Sequence, residues 1–133
     1  MGKSLEPVEF RSHQAVRVDD VAAVQIGPGC TRRDLPSNPG VRVWLVEMAP
    51  GSEWPSVDHH DTGEEFYVVS GEVIEGESRY GAGTYVSFAP GSHHRPRTES
   101  GVRLLGLNLG TSAFLAAGGD ASSITHLYQP TQG

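Results

Sequence analysis

Apolar residues along this chain fall in short runs broken by turn residues, and almost nowhere do they recur at helical spacing. Val41–Met48 (VRVWLVEM) reads as a strand closed by Ala49-Pro50-Gly51. Glu64–Val69 (EEFYVV) reads as another, closed by Ser70-Gly71, with Glu72–Glu75 after it. Thr84–Phe88 lies between Gly81-Ala82-Gly83 and Ala89-Pro90-Gly91, and Val102–Leu109 closes the central part. Val21–Ile26 is predicted as an outer strand and Ile124–Tyr128 as a last short one, beyond an Ala, Gly and Ser-rich stretch from Thr111. Strands recurring about every ten residues, with glycine and proline between them, predict an all-β sandwich or barrel.

Composition sharpens this picture. The chain has 133 residues, one domain's worth, and its 37% apolar and 20% charged residues are ordinary for a globular protein. Its 17 glycines and 9 prolines are spread along the chain, which fits many turns rather than one linker. A formal charge of −6 argues against a nucleic-acid partner, because phosphate backbones need a basic face. Cys30 is the single cysteine, so neither an internal disulfide nor a thiolate cluster can form within one chain. MGKSLEPVEF has no apolar core of a secretory signal, and no run of about 18 apolar residues follows, so the expectation is a cytoplasmic protein with no membrane span. The GKS at Gly2–Ser4 lacks the glycine loop of a phosphate-binding motif and is read as chance.

Four of the six histidines stand in two adjacent pairs, His59-His60 in DHHDTGEE and His93-His94 in PGSHHRP. If Asp58–His60 is extended, Asp58 and His60 share one face and His59 takes the other. A turn through Asp61-Thr62-Gly63 can return Glu64 beside His60, and His94 arrives from a third segment after Pro90-Gly91-Ser92. Two imidazoles and two carboxylates then converge. Such a set suits one divalent transition metal and leaves positions open for water or substrate. Zinc is the first expectation, with Fe(II) or Mn(II) as alternatives. His93, alternating away from His94, is read as a surface residue, His13 and His126 as surface or interface residues, and Glu65 as a solvated strand charge or salt-bridge partner.

From Gly51 to His94 the chain resembles the cupin superfamily. Gly51, His60, Glu64 and Gly71 stand in the spacing of the first cupin motif. Gly83, Gly91 and His94 stand in that of the second, with Ala89 where the proline is usual. The wording is most similar to small bacterial cupins like the ligand-binding domain of the ChrR anti-sigma factors. The resemblance implies a double-stranded β-helix, the cupin jelly-roll barrel, as a single domain over residues 1–133. Residues 1–30 would form outer or dimer-making strands and 111–133 a C-terminal tail, so a homodimer is expected. The family's His-x-His pair has Asp58 as its first member here. Either Asp58 ligates directly, or a bulge turns His59 inward as the alternative ligand, or water takes the position.

A barrel mouth keeps ligand sites between apolar walls. The predicted walls are Trp44, Val46 and Met48 (or Val43 and Leu45, on the other face), Phe66, Val68, Tyr85, Phe88 and Asn108, with Tyr67 a further candidate. They imply a small-molecule partner that is apolar or aromatic and carries a carbonyl or carboxylate. Arg42, Arg95, Arg97 or Arg103 could hold the carboxylate or enolate. Three function classes follow. The first is a non-redox isomerase, epimerase or cyclase acting on an enolisable carbonyl compound, with Asp58 or His59 moving the proton. The resemblance permits it, since stand-alone cupins of this size do such work. The second is an Fe(II)-dependent dioxygenase. The third is a non-catalytic ligand or metal sensor, as the anti-sigma cupin domains imply. Against the third, a single domain is expected for these 133 residues, and they hold no Cys or His cluster resembling the zinc-binding anti-sigma segment. The first class is the leading expectation.

Overall fold

The computed structural model describes residues 12–120. In order, the strands are β1 (Val24–Gly27), β2 (Cys30–Leu35), β3 (Val41–Met48), β4 (Asp58–His60), β5 (Glu64–Glu75), β6 (Ser78–Gly81), β7 (Tyr85–Phe88), β8 (Ser92–His94) and β9 (Val102–Leu109). A 3-10 turn over Val18–Asp20 precedes them and a helix, α1 (Thr111–Ala116), follows. All pairings are antiparallel, and the larger sheet runs β1-β2-β3-β9-β5-β6. β7 pairs with the first part of β5, and β4 pairs with β8 as a separate two-stranded ribbon.

The apolar alternation decides which faces meet. On β5, Glu64, Phe66 and Val68 are buried while Tyr67 and Val69 face solvent. On β3, Trp44, Val46 and Met48 take the inner face, and Leu45 is buried on the opposite face, so this strand is covered on both sides. Trp44, Val46, Met48, Phe66 and Val68, with Cys30, Val73, Val102 and Leu104, form one core. Fully burying Phe66 or Val68 contributes about 1.5–3 kcal/mol each.

Several expectations are corrected in detail. The two predicted strands on either side of Ser70-Gly71 are one strand, β5, bent by a bulge where its register with β9 shifts between Val68 and Ser70. Gly71 makes the bend: its φ is +76°, and a Cβ there would lie 2.0 Å from the Gly101 carbonyl oxygen. The outer strand lies at Val24–Gly27 rather than Val21–Ile26. Strands β2, β6 and β8 carry too much polarity for the alternation rule to find them. The stretch after Leu109 begins with the helix α1, whose Phe114 is buried. The predicted strand Ile124–Tyr128, His126 and the chain before residue 12 lie outside the described residues. No helix among the described residues is long and apolar enough to cross a membrane.

One close approach ties the core to the site. Trp44 on β3 stands opposite Gly106 on β9, and a Cβ at 106 would lie 2.2 Å from the indole. Only glycine lets the ring lie flat over β9. Gly106→Ala is therefore expected to destabilise the protein by about 1–3 kcal/mol. Urea unfolding followed by tryptophan fluorescence checks it.

Candidate metal centre

Strands β4 and β8 pair with Asp58 opposite His94, His59 opposite His93 and His60 opposite Ser92. Directly opposed residues share a face, and so do residues two apart on one strand. Asp58, His60 and His94 therefore point to one side and His59 and His93 to the other, where their rings lie 5.7 Å apart. The turn Asp61-Thr62-Gly63 then delivers Glu64 at the start of β5. Gly63, at φ +85°, makes the reversal, and the Thr62 hydroxyl ties the turn to the Leu109 carbonyl at 2.7 Å.

The four side chains converge. Glu64 Oε2 lies 3.3 Å from His60 Nε2 and 3.4 Å from His94 Nε2. Asp58 Oδ2 lies 3.9 Å from His60 Nδ1 and 4.0 Å from His94 Nε2. One ligand atom from each residue falls within 4.8 Å of all the others, so the group could hold a metal ion. Ligand atoms about 2.1 Å from one ion stand about 3.0–3.4 Å from each other, the spacing that Glu64 keeps to both imidazoles. His60 Nε2 is buried and makes no hydrogen bond, a costly state for an imidazole nitrogen unless something else takes its lone pair.

Neighbours hold these groups in place. Both oxygens of Glu75, on the far part of β5, lie 2.8 Å from His94 Nδ1, leaving Nε2 turned to the cluster. Trp44 Nε1 donates to Asn108 Oδ1 at 2.7 Å, and Asn108 Nδ2 donates to the Gly63 carbonyl at 3.0 Å and to Glu64 Oε1 at 3.4 Å. Phe88 packs behind both imidazoles, with ring centroids 5.1 Å from His60 and 4.4 Å from His94.

Electrostatics follow from this burial. Burial lowers the His60 pKa, against the pull of Glu64, and keeps its ring neutral. Burial raises the Asp58 pKa, and the Glu64 charge raises it further. Burial also opposes the charged form of His94, but its hydrogen bonds to Glu64 and Glu75, and their charges, outweigh that and raise its pKa to about 9.

The cluster lines a cavity of about 440 Å³. Trp44, Val46, Met48, Phe66 and Asn108 line it, together with Trp54, Leu104, Arg32 and Arg42. Three wall residues are corrected. Val68 is fully buried in the core, away from the cavity. Tyr85 is 60% exposed on the outer face, where its hydroxyl donates to Glu65. Phe88 stands behind the ligands rather than in front of them. Tyr67 also faces solvent. His59 borders the cavity at its rim, but β4 keeps unbroken register with β8 and carries no bulge to turn it inward. Arg95, Arg97 and Arg103 are engaged elsewhere, with Glu53, Glu99 and Asp19. Sequence reasoning missed Glu75, because nothing in the spacing links it to a histidine 19 residues later.

Comparison with known proteins agrees with this geometry. Residues 11–112 match the family of ChrR Cupin-like domains. The chain belongs to that family. A chain of the crystal structure of Rhodobacter sphaeroides SigE in complex with the anti-sigma ChrR superposes with a TM-score of 0.63 at 23% identity, covering 69% of this cupin and 51% of that chain. This cupin thus spans about half the length of that relative. An RmlC-like cupin from Ralstonia eutropha gives 0.64 at 19% identity, over 74% of this chain and 69% of that one. An acetylacetone dioxygenase from Acinetobacter johnsonii gives 0.65 at 16% identity, over 86% and 99%. These likenesses establish the all-β cupin jelly roll. A search of curated proteins returned no match.

Glu75 generates two predictions. Glu75→Gln is expected to weaken divalent-metal affinity about 10- to 100-fold, read by competition with a chromophoric chelator. In metal-stripped protein, the His94 pKa of about 9 lies above its unfolded value of 6.5. The stabilisation is therefore complete below pH 6.5 and lost as pH rises through 9, at most about 3 kcal/mol in all. Urea midpoints across that window are expected to fall with pH in the wild type and less steeply in Glu75→Gln.

Proposed function

We propose that this cupin holds one divalent transition metal on Asp58, His60, Glu64 and His94. With it, the protein catalyses a non-redox proton transfer, an isomerisation, epimerisation or cyclisation, on an enolisable carbonyl compound. The observation that carries the reading is the unequal exposure of the four ligands. The side chains of His60, Glu64 and His94 are 1%, 7% and 9% exposed, whereas that of Asp58 is 42% exposed. Three ligands are thus fixed and one carboxylate faces the cavity.

The metal would polarise the carbonyl and stabilise the charge of an enolate. Zinc is the expected ion, with Fe(II) or Mn(II) as alternatives, because mixed imidazole and carboxylate ligation accepts all three. Asp58 receives the α-proton and returns it. Asp58 is the carboxylate of the set that lies open to the cavity, where a substrate proton can reach it. Trp44, Val46 and Met48 present apolar surface to the body of the substrate and keep water from the reacting carbon. His59, at the rim, takes no part in this reading.

Proton NMR in D2O tests it, with zinc-loaded protein and phenylacetone as a simple aromatic ketone. The wild type is expected to accelerate hydrogen–deuterium exchange at the α-carbon. Asp58→Asn is expected to lower that rate by about 100-fold or more with bound zinc retained, and His60→Ala to lose metal and exchange together. Absence of exchange in the wild type rejects the proton-transfer reading. Substrate-dependent oxygen uptake with Fe(II) in its place would identify a dioxygenase.

A further inference from the structure

Arg42 differs from every other described arginine. The chain is acidic, with 16 Asp and Glu against 10 Lys and Arg. Each of the other described arginines lies within 4.0 Å of a carboxylate oxygen. Arg42 has no ion pair or side-chain hydrogen bond among the described residues, yet it is exposed and lines the cavity. The other lining cation, Arg32, is already held by Asp34 through contacts of 2.9 and 3.3 Å. Among the lining acids, Asp58 and Glu64 belong to the centre, and Asp61 is engaged in an interaction of its own.

Register places Arg42 relative to the centre. Arg42 stands opposite Asn108 across β3 and β9. Glu65 stands opposite Leu107, so Glu64 lies beside Asn108 across β9 and β5. Arg42, Asn108 and Glu64 thus form one row across three strands, and about 10 Å separates the outer Cα atoms. Arg42 lies on the same face of β3 as Trp44, Val46 and Met48, at the end of that apolar wall. A flexible arginine here reaches over a ligand a few carbons long whose other end rests at the ligand cluster.

Charge points the same way. Two ligand carboxylates match the charge of one divalent ion, so the loaded centre offers an anion no net positive charge. The cavity's unneutralised cation is Arg42. A guanidinium pairs with a carboxylate through two parallel hydrogen bonds, with direction as well as charge.

We infer that the substrates are aromatic or apolar oxo acids, with Arg42 binding the carboxylate at the cavity mouth while the ketone reaches the metal ligands. This specificity assignment rests on the proton-transfer reading, which supplies the ketone. Isothermal titration calorimetry on zinc-loaded protein tests it, with 4-oxo-4-phenylbutanoate and its methyl ester as matched probes. The wild type is expected to bind the acid about 10- to 100-fold more tightly than the ester. Arg42→Gln is expected to lose that preference while keeping its zinc content and melting temperature, and Arg42→Lys to restore part of it. Equal binding of acid and ester by the wild type overturns the inference, as does no binding of either at millimolar concentration. A preference that survives in Arg42→Gln also overturns it. The underlying reading fails separately: its mark is the absence of phenylacetone exchange in the wild type, an experiment whose probe carries no carboxylate.

Discussion

The carbonyl oxygen of His60 accepts two backbone hydrogen bonds, from Gly63 at 3.1 Å and from Gly91 at 2.8 Å. Each donor is a glycine at φ +85°, and each sits in a turn that delivers a ligand. Gly63 ends the turn that presents Glu64, and Gly91 ends the turn that leads into β8 and His94. One acceptor therefore fixes the distance between two loops that are nearly thirty residues apart in sequence. The β4–β8 ladder then sets the faces, so that Asp58, His60 and His94 cannot point to different sides without breaking the pairing.

Holding these polar groups in a barrel is costly, and the surroundings show how the cost is met. Glu75 satisfies the outer nitrogen of His94, and Asn108, itself held by Trp44, satisfies the outer oxygen of Glu64. Gly106 makes room for the indole that begins this chain of contacts. A substitution on β9 can therefore disturb a ligand on β5 without touching it. His60 keeps a buried nitrogen with no hydrogen bond, the one place in the cluster where the protein supplies no partner of its own.

The cavity combines charged groups with an apolar wall. The Asp58, His60, Glu64 and His94 cluster and the Arg42 guanidinium stand on opposite sides of Asn108 in one row across the strands, and Trp44, Val46 and Met48 continue from Arg42 along β3. This order follows from period-two alternation on β3, which places Arg42, Trp44, Val46 and Met48 on one face.

Much of this was legible in the sequence, because it depends on local rules. Alternation marked β3, β5, β7 and β9, glycine and proline marked the turns, and the spacing of His60, Glu64 and His94 carried both the cupin likeness and the ligand set. Alternation also favoured Asp58 over His59, and the regular β4–β8 register places Asp58 in the cluster. What stayed hidden depends on which strands become neighbours. Glu75 reaches His94 only because β5 bends at Gly71 and runs on. Tyr85 and Phe88 have the composition of cavity walls, but pairing with β5 turns Tyr85 outward and sets Phe88 behind the imidazoles. That Arg42 alone among the described arginines lacks an acid could not be counted before the other pairs had formed. Local periodicity determines which side of a strand a residue takes; only closure of the barrel decides what it meets there, because those contacts join segments that no sequence spacing relates.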